Sequence, residues 1–131
     1  MRTLIVEDDF TSRLLLQEFL TSYGSVHIAV NGKEAVDAVR SALQANKPYD
    51  LILMDIMMPE MDGHEALTQI RKIEAQNHLV DADQVKVIMV TALGDEGNVI
   101  FARQNKVQGY ILKPYDLKKL LEELRKLGLI A

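Results

Sequence analysis

"LILMDIMMPEMDG", residues 51–63, sets four large apolar residues directly against a carboxylate. Leu51 to Met54 read as a buried strand, which delivers Asp55 to the edge of the core. An unpaired charge in a low-dielectric site is costly. Either the fold supplies Asp55 with a partner, or the position is chemical. The Pro59 turn and the Asp62-Gly63 turn mark where the chain leaves the strand and starts a helix.

Working outward, the same alternation recurs. Short apolar, β-branched runs occupy 4–6, 26–30, 51–54, 85–90 and 110–112. Between them the apolar residues fall at helical spacing. Leu15, Leu16, Phe19, Leu20 and Tyr23 form the first stripe, and Ala35, Val36, Val39 and Leu43 the second. Ala66, Leu67, Ile70 and Ile73 form the third, and a weaker one spans 95–107 with Val99, Ile100 and Arg103. Leu117, Leu120, Leu121, Leu124 and Leu127 form the last, which stops near Gly128. Parallel strands need crossover helices, so five strands alternating with five helices predict an α/β fold with helices on both faces of a parallel sheet. Residues 75–84 read as a surface loop after the third helix. With no repeat, linker or low-complexity tract, the 131 residues are expected to form one domain, 1–131.

Composition narrows the function. A net charge of −4 with scattered Lys and Arg argues against a nucleic-acid footprint. The absence of cysteine excludes disulfides and Cys-ligated metals and fits a reducing cytoplasm. The N-terminus reaches Glu7 and Asp8 too early for a signal peptide. No apolar run approaches the roughly 18–20 residues needed to span a bilayer. The expectation is a soluble cytoplasmic protein.

The residues just past each strand are more telling. The first strand ends in Glu7-Asp8-Asp9, the third in Asp55, the fourth in Thr91-Ala92 and the fifth in Lys113-Pro114. Only the second lacks such a group, as an edge strand would. Open α/β sheets bind ligands beyond the carboxyl ends of their strands. Carboxylates gathered within about 4 Å there would repel by roughly 1–4 kcal/mol per pair. An all-oxygen donor set without His suits Mg²⁺. Bound Mg²⁺ would attract phosphate, with Thr91 and Lys113 supplying a hydroxyl and a positive charge. A carboxylate is then the natural nucleophile, forming an acyl phosphate.

"LIVEDD", "LILMDIMMPEMDG", "VIMVTA" and "GYILKP", in that order, resemble the receiver domain of bacterial two-component response regulators, from Thr3 to about Leu127. The resemblance implies a flavodoxin-like, doubly wound (βα)5 sheet in strand order 2-1-3-4-5. It implies Asp55 as phospho-acceptor, Glu7 and Asp8 as the acidic pair at a Mg²⁺ site, and the Met57 backbone carbonyl as a further metal ligand. Thr91 matches the switch hydroxyl, Lys113 the lysine of the site and Tyr110 the rotating aromatic. A cis Lys113–Pro114 bond is also implied. The implied function is a phosphorylation-activated switch, not a turnover enzyme. Its donor would be a histidine kinase or histidine phosphotransfer protein. Its output would be a protein partner or homodimer engaged through residues 95–127, with no membrane or direct nucleic-acid contact. The residues two places after Asp55 and after Thr91 are Met57 and Leu93. Neither can orient a water or act as base, so a long-lived phosphorylated form is expected.

Blander readings compete. Asp55 could cap a turn, Glu7 and Asp8 could be a solvated cap cluster, and Asp9 reads mainly as a cap. Lys113 could be an ordinary surface lysine, Thr91 a plain strand residue, and Tyr110 a half-buried one. Met54, Met58, Met61 and Met89 read as core filler, and His27, His64 and His78 have no metal or triad spacing. A Mg²⁺-dependent aspartyl hydrolase would want an acid two residues after its nucleophile, where Met57 stands. A nucleotide or flavin binder would want a Gly- or Ser/Thr-rich loop after the first strand, where "EDDFTSR" has neither. A scaffold that has lost the chemistry fits poorly with so complete a set of residues.

Overall fold

The computed structural model describes all residues, 1–131. Strands β1 (Arg2–Val6), β2 (Ser25–Ala29), β3 (Leu51–Met54), β4 (Lys86–Thr91) and β5 (Gly109–Leu112) alternate with helices. These are α1 (Phe10–Leu20), α2 (Gly32–Gln44), α3 (Gly63–Gln76), α4 (Glu96–Gln104) and α5 (Leu117–Lys126). All strand pairs are parallel, in the order β2-β1-β3-β4-β5. This is the doubly wound order that the family resemblance implies. The direction of winding reverses between β1 and β3, so the crevice of the fold opens at their carboxyl ends.

The strands read as unbroken apolar runs because each face is buried under a different helix layer. Leu4, Val6, Ile52, Met54, Val87 and Met89 point to the side of α2 and α3, where they meet Val36, Val39, Leu67 and Ile70. Their sequence neighbours Ile5, Leu51, Leu53, Ile88 and Val90 point the other way, onto Leu16, Leu20, Leu120 and Leu124 of α1 and α5. The period-2 alternation of Cβ directions makes both layers from one run.

Every helix begins at an acid or amide. Asp9, Asn31, Asp62, Asp95 and Asp116 each accept the backbone N–H three residues on, from Ser12, Glu34, Glu65, Asn98 and Lys119. Each such cap contributes about 1 kcal/mol and fixes where its helix starts. Asp9 is therefore the cap that the sequence suggested.

Some expectations shift. The strand ladders also recruit the polar residues Arg2, Ser25 and Lys86, so strand ends move by a residue or two. The expected stripe of α1 is narrower than five residues. Leu16 and Leu20 are buried, whereas Leu15 is exposed and Tyr23 lies in a short 3₁₀ turn. One helix turn per side can face the sheet, and Leu15 points past its edge. Met54 and Met89 are buried, but Met58 and Met61 only flank the core. Residues 77–84 lie at the surface with a short 3₁₀ turn at Asp81–Asp83. Helix α4 is the weakest, as its stripe implied, with Ala102 its one buried residue. No helix is long and apolar enough to cross a membrane.

Candidate functional site at the strand ends

The sheet itself aims the site. Backbone hydrogen bonding continues one residue beyond three strands: Glu7 N–H donates to Ala29 at 3.0 Å, Asp55 N–H to Val6 at 3.0 Å and Lys113 N–H to Thr91 at 2.9 Å. Each of these three residues is thus pinned at the last rung of a ladder, where its side chain leaves the sheet at the open rim. Beyond Asp55 the chain folds back sharply, with Gly63 N–H donating to the Ile56 carbonyl at 2.8 Å. A Cβ on Gly63 would lie 2.2 Å from the Asp55 carbonyl oxygen, so only glycine lets α3 start this close to the site.

Lys113 holds the centre. Its Nζ donates to Glu7 Oε1 and, at 3.0 Å, to Asp55 Oδ2. The other Asp55 oxygen accepts the Ile56 N–H at 2.7 Å. Glu7 is 2% exposed and Asp55 9%, while Asp8 is open to solvent. Carboxylate oxygens of Glu7, Asp8 and Asp55 all lie within 4.8 Å of one another. Asp9, by contrast, is turned to the start of α1, and its N–H donates to Glu7 Oε2 at 3.3 Å.

One ammonium does not balance three carboxylates. Burial, with help from the Asp55 charge, pushes the Glu7 carboxyl up to about 7 against the pull of Lys113. Burial alone would lower Lys113, but its hydrogen bonds to Glu7 and Asp55 outweigh that and raise it. Such a cluster is short of positive charge. The donors fit a hard divalent ion: all are oxygens, one is exposed enough to leave room for water, and none is His. The Met57 carbonyl accepts no backbone hydrogen bond and is free for a ligand.

The remaining expected residues sit one shell away. Thr91 is 1% exposed at the end of β4, and its hydroxyl oxygen accepts the Leu93 N–H at 3.3 Å. Tyr110, half-buried on β5, donates its hydroxyl proton to the Leu93 carbonyl. Leu93 is therefore gripped by both. The Lys113–Pro114 peptide is cis. Above the acids an open cleft is lined by Asp8, Met57, Leu93, His64 and Asn98, among others. His64 Nε2 lies 2.5 Å from Asn98 Oδ1. Sequence reading missed this pair, because two polar residues 34 positions apart carry no local signal.

The model of the response regulator receiver domain matches residues 3–125. The chain belongs to that family. Receivers are phosphorylation-activated switches of two-component signalling, and so is this chain. It is 36% identical over 127 residues to the chemotaxis protein CheY of Bacillus subtilis (strain 168), covering 95% of each. Among solved structures it is similar to the CheX–CheY–BeF3–Mg²⁺ complex from Borrelia burgdorferi. That match has 29% identity and a TM-score of 0.80, covering 98% of this chain and 89% of that one. It is also similar to the receiver of the sensor histidine kinase PA1611 from Pseudomonas aeruginosa PAO1, which has a magnesium ion in its active-site cleft. There the identity is 27%, the TM-score 0.74 and the coverage 97% of both chains. The receiver fold and the order of its strands agree with these relatives.

Proposed function

We propose that Asp55 is the residue phosphorylated, by a phosphohistidine on a histidine kinase or histidine phosphotransfer protein. The observation that carries the reading is the Lys113 bridge: one ammonium bonded to both Asp55 and Glu7, with Asp8 in the same cluster. Of the three acids, Glu7 is too buried to be reached and Asp8 lacks the lysine. Asp55 combines a charge partner with more exposure than Glu7. Its Oδ attacks phosphorus in line as the P–N bond breaks, and the departing imidazole keeps the electron pair and takes up a proton. Lys113 then donates to one phosphoryl oxygen and the Thr91 hydroxyl to another.

Glu7, Asp8, Asp55 and the Met57 carbonyl would hold Mg²⁺. When bound, that ion supplies positive charge that offsets the charge of the transferring phosphoryl group. The presence of magnesium in a related receiver and the acidic cluster here support this reading. Formation and slow loss of the acyl phosphate are self-catalysed events of a switch, without substrate turnover.

The output face is residues 95–127, from α4 through β5 to α5. Its supports are the weak burial of α4, the exposed Ile100 and Leu112, and the Tyr110 contact with Leu93. A protein partner or a second copy of the chain would read that face in the cytoplasm, with neither membrane nor nucleic acid involved directly.

Incubation with Mg²⁺ and acetyl phosphate, read by mass spectrometry, tests the assignment. One added phosphate is expected, absent in Asp55→Asn. Undiminished phosphorylation of that variant rules Asp55 out.

A further inference from the structure

His64 takes no part in phosphoryl chemistry, yet it stands on the wall of the cleft beside Asn98. The Asn98 backbone N–H donates to Asp95 Oδ2 at 3.1 Å and its side-chain Nδ2 to Asp95 Oδ1 at 2.5 Å. Asp95 can only accept, so the Asn98 amide must turn its NH₂ to Asp95 and its carbonyl oxygen to His64. His64 Nε2 is then the donor across the 2.5 Å gap. Nδ1 is buried without a partner. The ring also packs on Phe101 of α4, with centroids 4.3 Å apart. One side chain of α3 thereby meets both the first turn of α4, at Asn98, and the second, at Phe101.

The far end of α4 is held differently. Arg71 of α3 donates to the carbonyls of Asn105 at 3.0 Å and Lys106 at 2.9 Å, and is anchored by Glu74. That clamp is charge-assisted and nearly buried, whereas the His64–Asn98 tie is a single half-exposed hydrogen bond. The weaker tie is the one next to the switch loop. From Thr91 the restraints run through the Leu93 peptide to Asp95, Asn98 and His64.

We propose that His64 is a positioning residue of the switch. Acting through Asn98 and Asp95, it holds the first turn of α4 where the Thr91 hydroxyl stays on the Leu93 N–H, and phosphorylation must release it. The proposal rests on Asp55 as the phosphorylated residue. To reach a phosphoryl oxygen, Thr91 gives up its Leu93 partner, the loop 92–95 moves with it, and α4 turns about the end that Arg71 keeps fixed. An interaction made in only one of two states biases their equilibrium by its own strength. A typical intramolecular hydrogen bond is worth roughly a two- to tenfold bias.

Beryllofluoride titration of the full chain with Mg²⁺, monitored by NMR, tests this. His64→Phe keeps a ring on Phe101 without the donor, Asn98→Ala removes the acceptor, and His64→Gln keeps an N–H donor. The first two should bind beryllofluoride about two- to tenfold more tightly than wild type. Their untreated 93–101 amides should already lie part-way toward the bound positions. His64→Gln should stay near wild type. Unchanged or weaker binding in the first two, or equal tightening in His64→Gln, overturns the proposal. Should wild type and Asp55→Asn respond alike to beryllofluoride, the phospho-acceptor assignment is what fails. The untreated amides of His64→Phe then decide alone, and their staying in place overturns the latch.

Discussion

Replacing Arg71 by Met would remove the hub of a clamp that joins three parts of the fold. Its guanidinium donates to the carbonyls of Val85 before β4, Asn105 and Lys106 after α4, and to Glu74 at 2.7 Å. Glu74 in turn accepts the Val85 N–H at 2.6 Å. The two side chains are only 11% and 3% exposed, so water cannot replace what is lost. Methionine fills the volume of the stem but offers no donor. Removing one partner of a buried pair costs about 3–5 kcal/mol, chiefly because the other is left uncompensated. Unfolding entropy of about 2.1 cal/mol/K per residue sums to about 0.28 kcal/mol/K for this chain, so Tm should fall by about 11–18 °C.

The contrast lies on α2. Arg40 and Asp37 meet at 3.4 Å, but their side chains are 50% and 60% exposed. An exposed pair of that kind contributes about 0–1 kcal/mol. Arg40→Met should therefore move Tm by no more than about 4 °C. Thermal melts recorded by circular dichroism, with both variants in the same buffer, make the comparison. If Arg71→Met falls by no more than Arg40→Met, the clamp is not a stabilising element and burial has been misjudged as its source of strength.

Mg²⁺ binding should depend on Asp8 and not on Asp9, because Asp9 is committed to capping α1. Asp8→Ala should abolish Mg²⁺-linked NMR shifts while Asp9→Ala keeps them, and the reverse result would move the acidic pair by one residue. The phosphorylated form should persist for minutes or more, since Met57 and Leu93 line the approach with apolar groups. Met57→Asn or Leu93→Glu should speed its decay after donor removal, and decay no faster in either would end the shielding argument. Asp95 is lowered by its side-chain and backbone bonds to Asn98. A lowered folded pKa gives stability that is present above the ordinary value of 3.8 and lost as pH falls through the folded one. Asp95→Asn keeps a capping oxygen without the titration, so acid melts should show a shallower loss of Tm below pH 4 than wild type; an unchanged slope refutes it.

The topology was legible because burial leaves a plain mark. Leu51–Met54 is apolar at every position only because helices cover both faces, and that one property identifies a parallel sheet. The polar residues after the runs were legible for the same reason, since a buried run that ends in an acid must end somewhere special. What the sequence could not assign was orientation. Glu7 and Asp8 are adjacent acids, yet one is buried against Lys113 and the other faces solvent. Leu15 and Leu16 are adjacent leucines with opposite fates. Partners far apart in the chain were equally hidden: Arg71 with Asn105, and His64 with Asn98, meet only after the fold has formed.

On the proposed phosphorylation of Asp55, the energies account for the weakest helix lying next to the site. Moving a two-state equilibrium from 1:99 to 99:1 takes about 5.5 kcal/mol. The new bonds available to a phosphoryl group on Asp55 are those from Lys113 and Thr91. Hydrogen bonds to a charged group contribute about 1.5–3 kcal/mol each, so two yield about 3–6. Lys113 already bonds Asp55, which trims its share. Releasing Thr91 from Leu93 and His64 from Asn98 costs about 1 kcal/mol apiece. Little remains to move a helix out of well-packed surroundings, where each large apolar side chain adds about 1.5–3 kcal/mol. Helix α4 avoids that cost by burying a single alanine, Ala102. Its position is set by the His64–Phe101 ring contact and by directional ties at its two ends, and such ties are ones that phosphorylation of Asp55, as proposed, would exchange one for another.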